Sequence, residues 1–243
     1  FADVSTPANL QFLFHSSYTI TPADLRKSIL TLAVQGDLSA GASDPRDWPA
    51  VTMNNVCDLI TDGEHATPQR VASGIPLATA KNVRDGFLDM TQTDYVAQET
   101  AEKCWRRCKP KDGDILMVCV GATTGRVCLV ANPPDMVLVR SVALLRPATK
   151  LIAATFLDLF LRSPSGQSQI WRGVRQNAQP CLYLGKMSEF VINLPPLAEQ
   201  RRIVAKVDQL MVLVDQLERQ LAASRATAEN LLAALVAELT TQV

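Results

Sequence analysis

The sequence has few histidines and few aromatic residues, and neither sign of charge is in excess. Its 243 residues include 2 histidines, aromatic residues make up 5%, and the formal net charge is zero. No signal peptide opens the sequence, and no apolar run approaches the roughly 18 residues that a membrane helix needs. We therefore expect a soluble, cytoplasmic protein. Because the first residue is Phe1 rather than Met, we expect a trimmed or processed chain.

The cysteines do not have the spacing of a disulfide-rich scaffold, so we expect reduced thiols. The pair Cys104 and Cys108 has a spacing that half a zinc site would have, but no second Cys/His pair lies nearby. The only histidines are His15 and His65. We therefore expect no metal site. The six cysteines are Cys57, Cys104, Cys108, Cys119, Cys128 and Cys181.

Catalytic motifs of DNA enzymes are missing. No lysine has an acidic residue two positions before it, which argues against a nuclease of the PD-(D/E)xK class. Asn132-Pro-Pro-Asp135 resembles an adenine methyltransferase motif, but that motif ends in an aromatic residue, so we interpret this one as a tight turn. Gly121-Ala-Thr-Thr-Gly-Arg126 lacks the lysine and helix of a phosphate-binding loop and predicts a hairpin turn. We assign no catalytic residue.

Proline and glycine are absent from Leu197 to Val243. Apolar residues there follow a 4-3 spacing for about four and a half heptads, which is typical of a coiled coil. The spacing predicts one long C-terminal helix over 198–240, roughly 60 Å in length, whose stripe must pack against another helix. The large apolar residues of this predicted seam are Ile203, Val207, Leu210, Val214, Leu217, Leu221, Leu231 and Leu235.

A shorter helix precedes the central part of the chain. Thr21-Pro-Ala-Asp24 has the residues of a helix start, and Gly36 suits the position just after a helix end. Leu25, Ile29 and Leu32 supply a heptad-like apolar stripe. We assign residues 1–50 to an N-terminal leader, with an amphipathic helix at about 22–35 and a turn-rich linker. Trp48 is interpreted as a packing residue rather than a base-stacking one.

The central residues 51–196 predict an α+β domain with a β-rich core and peripheral helices. This segment has a net charge of +3, from 16 basic and 13 acidic side chains, which permits a nucleic-acid partner without requiring it. Helices are predicted over 98–108 and over 151–162, the latter stopped by Pro164. Strands of a meander are predicted by β-branched runs at 115–120, 126–131, 136–139 and 141–145.

Several motifs in order resemble the specificity (S) subunits of type I restriction-modification systems. The most specific is the string from Asn193 to Val204, which contains Pro-Pro-Leu-Ala-Glu-Gln and leads into the heptads. The segments 62–68, 74–86 and 113–126 look like successive parts of a target recognition domain of that family. The resemblance extends from about residue 21 to 240. On this basis 51–196 is a target recognition domain and 197–243 is the spacer helix.

The resemblance implies a non-catalytic DNA-recognition subunit with no cofactor of its own. Its partners would be double-stranded DNA, methyltransferase (modification) subunits that bring S-adenosylmethionine, and a restriction and translocation subunit. The family has two recognition domains and two long helices, whereas this sequence has one of each. It is therefore either a fragment or a natural half-subunit, and a half-subunit would form a two-fold homodimer. A coiled-coil scaffold with a protein-binding domain, or a catalytic DNA enzyme, is the alternative.

Residues for reading DNA were sought among side chains that reach base edges or phosphates. The run 172–179 is rich in arginine and amides, and it is either a DNA contact or a solvated loop. Asn82 has the alternative of capping a turn, and His65 of a structural role. The charge run at 106–111 is interpreted as a solvated helix end, with phosphate contact as the alternative. The predicted DNA-binding residues are His65, Thr67, Arg70, Lys81, Asn82, Arg84, Arg126, Arg172, Arg175, Gln176, Asn177 and Gln179.

Overall fold

The structure is a computed structural model that describes residues 20–38, 44–176 and 178–241. The chain divides into two compact units. The larger unit holds residues 30–206, and the other holds the described residues before 30 and from 207 onward. The leader up to residue 19 and the predicted contact Asn177 lie outside the described residues. In the part of the chain that is described, no helix is long and apolar enough to cross a membrane.

The first helix, α1 (Pro22–Gln35), begins as the sequence predicts. The Thr21 hydroxyl accepts a hydrogen bond from the Asp24 backbone N–H, and the Asp24 carboxylate accepts in return from the Thr21 backbone N–H. These reciprocal bonds satisfy two donors that a helix start leaves free. The expected stripe is partly wrong, because Leu32 is exposed while Leu30 and Ala33 are buried.

The larger unit is built on an antiparallel sheet of four strands. Its order is β2 (Cys57–Asp62), β11 (Val142–Pro147), β8 (Ile115–Val118) and β9 (Val127–Leu129). Strand β11 is central in the sheet, and its first four residues, which alternate between the two faces, are all buried, so both faces are covered there. At its centre Leu144 pairs with Thr61 on one side and with Leu116 on the other. This sheet carries the core of the unit.

A second sheet of four strands was not predicted as such. Its order is β10 (Val137–Leu138), β4 (Ile75–Ala78), β7 (Asp94–Val96) and β3 (Arg70–Val71). The pair β10 and β4 is parallel, whereas the other two pairs are antiparallel. The predicted meander is therefore wrong in this part: its third strand joins the second sheet. The strands β3, β4 and β7 are too short for their residues to show a clear alternation.

Three two-stranded pairs and five short helices complete the unit. The pairs are β1 (Ala50–Thr52) with β14 (Val191–Asn193), β5 (Val83–Arg84) with β6 (Phe87–Leu88), and β12 (Arg175–Gln176) with β13 (Pro180–Cys181). The helices are α2 (Met53–Val56), α3 (Gln98–Trp105), α4 (Ala154–Arg162), α5 (Pro164–Gly173) and α6 (Leu184–Ser188). The α+β prediction is confirmed.

Two helix boundaries differ from prediction. The helix predicted over 98–108 ends at Trp105, and the one predicted over 151–162 begins at Ala154. Pro164, expected only to end a helix, also starts α5, where its missing N–H costs nothing. The Ser163 hydroxyl caps α5 by accepting from the Gly166 backbone N–H at 3.2 Å. Arg172 is therefore on a helix and not in a loop.

The long helix is confirmed as one continuous element, α7 (Leu197–Thr241). Gln200 is fully buried and fixes its start. Its side-chain oxygen accepts from the Ala153 backbone N–H at 2.7 Å, and its amide donates to the carbonyls of Leu151 and Pro195 at 2.9 and 2.8 Å. The glutamine of the Pro-Pro-Leu-Ala-Glu-Gln string therefore ties the helix to the segment that leads into α4.

The predicted seam of α7 is covered only in its first half. Ile203 in the larger unit and Val207 and Val214 in the smaller one are buried. In the smaller unit Arg26 of α1 forms ion pairs of 2.6 Å with Asp215 and Glu218. Beyond that point the stripe is open: Leu217, Leu221, Leu231 and Leu235 are 41%, 42%, 61% and 57% exposed.

Candidate nucleic-acid interface

The segment after β2 is shaped by a close approach to β10. A Cβ atom on Gly63 would lie 2.2 Å from the Leu138 carbonyl oxygen, so only glycine fits there. The Glu64 backbone N–H donates to that same oxygen at 2.8 Å. The Glu64 carboxylate accepts from the backbone N–H groups of His65 and Ala66 at 2.9 and 3.1 Å. These contacts fix the turn that carries His65.

Asp62 joins His65 to Arg107 in a polar cluster. The His65 Nε2 atom lies 3.1 Å from an Asp62 carboxylate oxygen. Arg107 donates from Nε to the Asp62 backbone carbonyl at 3.0 Å and from Nη2 to the Asp62 carboxylate. The hydrogen bond to the Asp62 carboxylate also raises the pKa of Arg107. Arg107 is therefore held in place by Asp62 although it is exposed at the end of a helix.

The tip of the β8–β9 hairpin, which is the predicted turn at 121–126, is fixed by two neighbours. The Gly121 backbone N–H donates to the Pro180 carbonyl at 3.0 Å, and Val120 pairs with Cys181 in an antiparallel bridge. The Gln167 side chain donates to the Gly125 carbonyl at 2.9 Å. The structure thus brings the turn that precedes Arg126 next to the β12–β13 pair, although about 50 residues of chain separate them.

Two clefts lie on either side of a stacked pair of side chains. The Arg175 guanidinium lies over the Tyr183 ring at 5.3 Å from its centre, within the range of a cation–π contact. The first cleft, which we name the His65 cleft, has a volume of about 320 Å³ and is lined in part by Asp62, His65, Arg107, Arg140 and Tyr183. The second, the Arg172 cleft, has a volume of about 380 Å³ and is lined in part by Arg172, Arg175, Lys186 and Glu189.

Charge in the two clefts is predominantly positive. Their linings together contain five arginine or lysine side chains and two carboxylates. Both carboxylates are ion-paired, Asp62 with Arg107 and Glu189 with Lys186 at 2.8 Å. Arg140 has no side-chain partner among the residues that the structure describes. Such a surplus of guanidinium groups favours a polyanionic ligand.

The prediction that Asn82 contacts DNA is wrong, because its side chain is buried. It is 1% exposed. Its side-chain oxygen accepts from the backbone N–H and the hydroxyl of Thr79, and its amide donates to the carbonyls of Asp89 and Gln92. All of its hydrogen-bonding groups are thus used within the chain, as the capping alternative expected. Asn82 has no group left with which to contact a base.

The other predicted residues are scattered. Arg70 and Lys81 lie 3.4 and 3.6 Å from one carboxylate, that of Asp94, so much of their charge is neutralised. Arg84 is paired with Asp89 at 3.6 Å. Thr67, Arg172, Arg175 and Gln179 are exposed, and Arg126 is half-buried. The side chain of Gln176, like all of Asn177, lies outside the described residues.

The list of predicted contacts did not contain four residues of the clefts: Arg107, Arg140, Tyr183 and Lys186. A signal was present for Arg140, because it interrupts an apolar run between β10 and β11 and must therefore lie at a turn. Arg107 was noted only as part of a charge run. Tyr183 and Lys186 carry no local signal, since their role depends on residues that fold against them.

Burial determines the state of most thiols near this surface. Desolvation raises the pKa of Cys119 and of Cys128 to about 12, and that of Cys108 to about 11. These thiols stay protonated at neutral pH and make poor nucleophiles. Cys119 and Cys181 both line the His65 cleft, but Cys181 is half-buried whereas Cys119 is buried. In the described part of the chain, no group of three or more histidine, cysteine, aspartate or glutamate side chains is arranged to hold a metal ion.

The chain is similar in sequence to specificity subunits of type I restriction enzymes. The chain is 28% identical over 231 residues to the specificity subunit of the Escherichia coli type I restriction enzyme EcoBI, covering 88% of this chain and 48% of that protein. It is 26% identical over 222 residues to the EcoKI specificity subunit of Escherichia coli strain K12, covering 88% and 47%. The chain thus spans about half the length of these curated relatives.

A solved structure supports the same relationship. The HsdS subunit of Thermoanaerobacter tengcongensis superposes with a TM-score of 0.57 at 26% identity, covering 82% of this chain and 47% of that one. The family profile described as "Type I restriction modification DNA specificity domain" matches residues 45–224, which include both clefts and the first half of α7. On this evidence the chain belongs to the family of type I restriction-modification DNA specificity domains.

Proposed function

We propose that this chain recognises double-stranded DNA through the surface formed by the His65 cleft and the Arg172 cleft. The observation that carries the proposal is the convergence of five arginine and lysine side chains on two adjoining clefts, where both carboxylates are already ion-paired. Three of these cations come from separate segments, at 107, 140 and 186, so the cluster is a product of the fold. DNA phosphates are the abundant polyanion that such a surface suits.

We also propose that the chain performs no chemistry and acts by placing partners. Its relatives are named as specificity subunits of restriction enzymes, and a fold neighbour comes from a structure of type I complex assembly. The partners would be methyltransferase subunits, which bring S-adenosylmethionine, and a restriction and translocation subunit. This chain needs no cofactor under the proposal. Because the complex acts on cellular DNA, the expected location is the cytoplasm.

Self-association through α7 is part of the proposal. The second half of the helix exposes a stripe of four leucines, and aliphatic side chains each gain roughly 1.5–3 kcal/mol when they are removed from water. A second copy related by a two-fold axis would cover the stripe with the same residues. Such a homodimer would hold two recognition domains, as expected for a bipartite DNA target.

The proposal is tested by selecting duplexes from a random pool with the protein assembled with its methyltransferase. We expect enrichment of one bipartite sequence. The selected duplex is then tested for protection of Cys181 from alkylation. Cys181 suits this test because it is half-buried and lines the His65 cleft. Burial protects the other thiols of this region, Cys108, Cys119 and Cys128. We expect Cys181 to react first in free protein and to be shielded by the duplex.

Three outcomes contradict parts of the proposal. A pool that remains random after selection would favour a protein-binding scaffold over DNA recognition. Selection without protection of Cys181 would place the DNA on another surface. Methylation or cleavage of the selected duplex by the chain alone would reveal a catalytic function. The Cys181→Ser variant, which should show no labelling at this site, is the control for the assignment of the modified thiol.

A further inference from the structure

We propose that Arg175, held on the ring of Tyr183, is the residue that reads guanine, whereas the two flanking clefts grip the two phosphate backbones. This inference rests on the proposed function and divides its surface into parts with different tasks. The stacked pair is the wall that separates the clefts: Arg175 lines one of them and Tyr183 lines the other.

The first argument concerns which guanidinium groups have a free edge. Reading guanine takes two parallel N–H groups along one edge of an arginine. Arg107 uses its Nε and Nη2 atoms on Asp62, and Arg172 uses the same two atoms on the Ser168 hydroxyl at 3.2 and 2.8 Å. In the part of the chain that is described, the guanidinium of Arg175 makes no hydrogen bond or ion pair. The same is true of Arg140, but of these two only Arg175 lies on an aromatic ring that restricts it. Its contact with the Tyr183 ring is not a hydrogen bond, so its N–H groups remain available to a base.

The second argument concerns rigidity. A long arginine side chain loses rotational freedom when it binds, and this loss lowers affinity and selectivity. Stacking on Tyr183 restricts Arg175 before DNA arrives. The backbone of Tyr183 is fixed next to the start of α6, where its carbonyl accepts from the backbone N–H groups of Lys186 and Met187 at 2.9 and 3.1 Å. Tyr183 is thus a positioning residue, while Arg175 makes the contact.

The third argument concerns the arrangement of the clefts. A major groove, about 12 Å wide, is bordered by two phosphate backbones. The dividing wall likewise has cations on both sides, Arg107 and Arg140 in the His65 cleft and Arg172 and Lys186 in the Arg172 cleft. Lysine offers a charge without a bidentate edge, which suits phosphate oxygens. Arg107 and Arg172 are tied to protein acceptors through Nε and Nη2, so they are less free than Arg175 to turn an edge toward a base. A base-reading side chain with cations on both sides is the order of contacts that a groove between two backbones requires.

The test measures binding of the selected duplex and of a random duplex over a range of salt concentrations, with the protein assembled with its methyltransferase. Arg175→Ala should weaken binding of the selected duplex roughly 5- to 150-fold and leave the random duplex nearly unchanged. Arg140→Gln should weaken both duplexes alike and lower the salt slope by about one. Arg106→Ala is the matched control, since this exposed arginine lies outside both clefts.

The chemistry of the contact is tested with a modified base. Replacing each guanine of the selected duplex in turn by 7-deazaguanine removes the N7 acceptor. At one position this change should weaken the unchanged protein by a similar factor but have no further effect on Arg175→Ala. Tyr183→Phe keeps the stacking ring and should keep the preference, whereas Tyr183→Leu should lose it. Thermal unfolding of each variant shows whether the fold is retained.

Each contrary outcome has its own meaning. If Arg175→Ala weakens both duplexes equally and lowers the salt slope, Arg175 holds a phosphate; the proposed reader is then wrong although DNA recognition stands. If Arg140→Gln alters sequence preference without changing the salt slope, the assignment of the clefts is wrong. If Tyr183→Leu behaves like the unchanged protein, stacking is not what positions Arg175. If the unchanged protein prefers no sequence, the proposed function itself has failed.

Discussion

Apolar side chains of the same kinds have opposite surroundings in two regions of the molecule. In β11 the residues Val142 to Leu145 are fully buried between two neighbouring strands. In α7 the leucines from Leu217 to Leu235 are largely exposed, although they follow a stricter spacing. The rest of the larger unit packs on both faces of the sheet and covers β11, whereas a helix covers none of its own stripe. A regular pattern thus predicts an element, but only a neighbouring surface provides burial.

The largest effect is expected at the exposed leucine stripe of α7, where a charge should prevent self-association. Leu217→Asp places a charge at the seam of both copies of the proposed homodimer and removes two buried leucines, at roughly 1.5–3 kcal/mol each. We expect the parent to have a dimer mass in light scattering at tens of micromolar, and the variant a monomer mass. Helix content should be unchanged.

Leu213→Asp is the matched control, because Leu213 is also an exposed leucine of α7 but lies off the predicted seam. A monomeric parent would contradict self-association under these conditions. A Leu217→Asp variant that remains dimeric, while Leu213→Asp dissociates, would show that the contact uses a different face of α7.

A second prediction compares the same change in both regions. Leu144→Ala should lower the free energy of unfolding by about 2–5 kcal/mol, because it opens a cavity in a fully buried sheet. Leu235→Ala, in protein diluted below self-association, should lower it by a few tenths of a kcal/mol at most. Urea unfolding followed by circular dichroism measures both. Similar losses for the two variants would mean that the stripe at Leu235 is covered within a single chain.

The smallest expected effect concerns the start of α7, which Gln200 anchors to the segment before α4. Gln200→Ala removes three hydrogen bonds and leaves the Ala153 backbone N–H without its partner, which should cost about 1–3 kcal/mol. Gln209→Ala, a change of the same residue type at an exposed position of α7, should be nearly neutral. Hydrogen exchange should locate the loss at the start of the helix and at the segment before α4. Uniform acceleration along α7 would contradict a local anchoring role.

Local patterns were sufficient for several parts of the fold. The cap of α1, the length of α7 and the turn at 121–125 each depend on residues close together in sequence, and the structure confirms all three. At Asn132, in the motif interpreted as a tight turn, φ is +44°, a conformation that asparagine tolerates better than most residues. The second sheet was missed because its short strands are specified by their partners.

In the candidate interface, too, local sequence predicted some features and missed others. Arg172 and Arg175 were chosen for residue type in an unusual run, and the structure places both in one cleft. Asn82 was chosen for the same reason, but its side chain faces Thr79, Asp89 and Gln92 inside the fold. Residue type gives the chemistry that a side chain is capable of, while its direction and its partners depend on the surrounding backbone.

The sequence by itself determined the α+β class, the continuous helix, the family and the absence of familiar catalytic motifs, because these are written in composition, spacing and short motifs. Only the tertiary structure decided that Asp62 fixes Arg107, that Arg175 stacks on Tyr183, and that five cations from distant segments share two clefts. Such contacts join residues that no periodicity links, since they form only when separate strands and helices pack. The chemistry of each side chain was local, and its grouping into a surface was not.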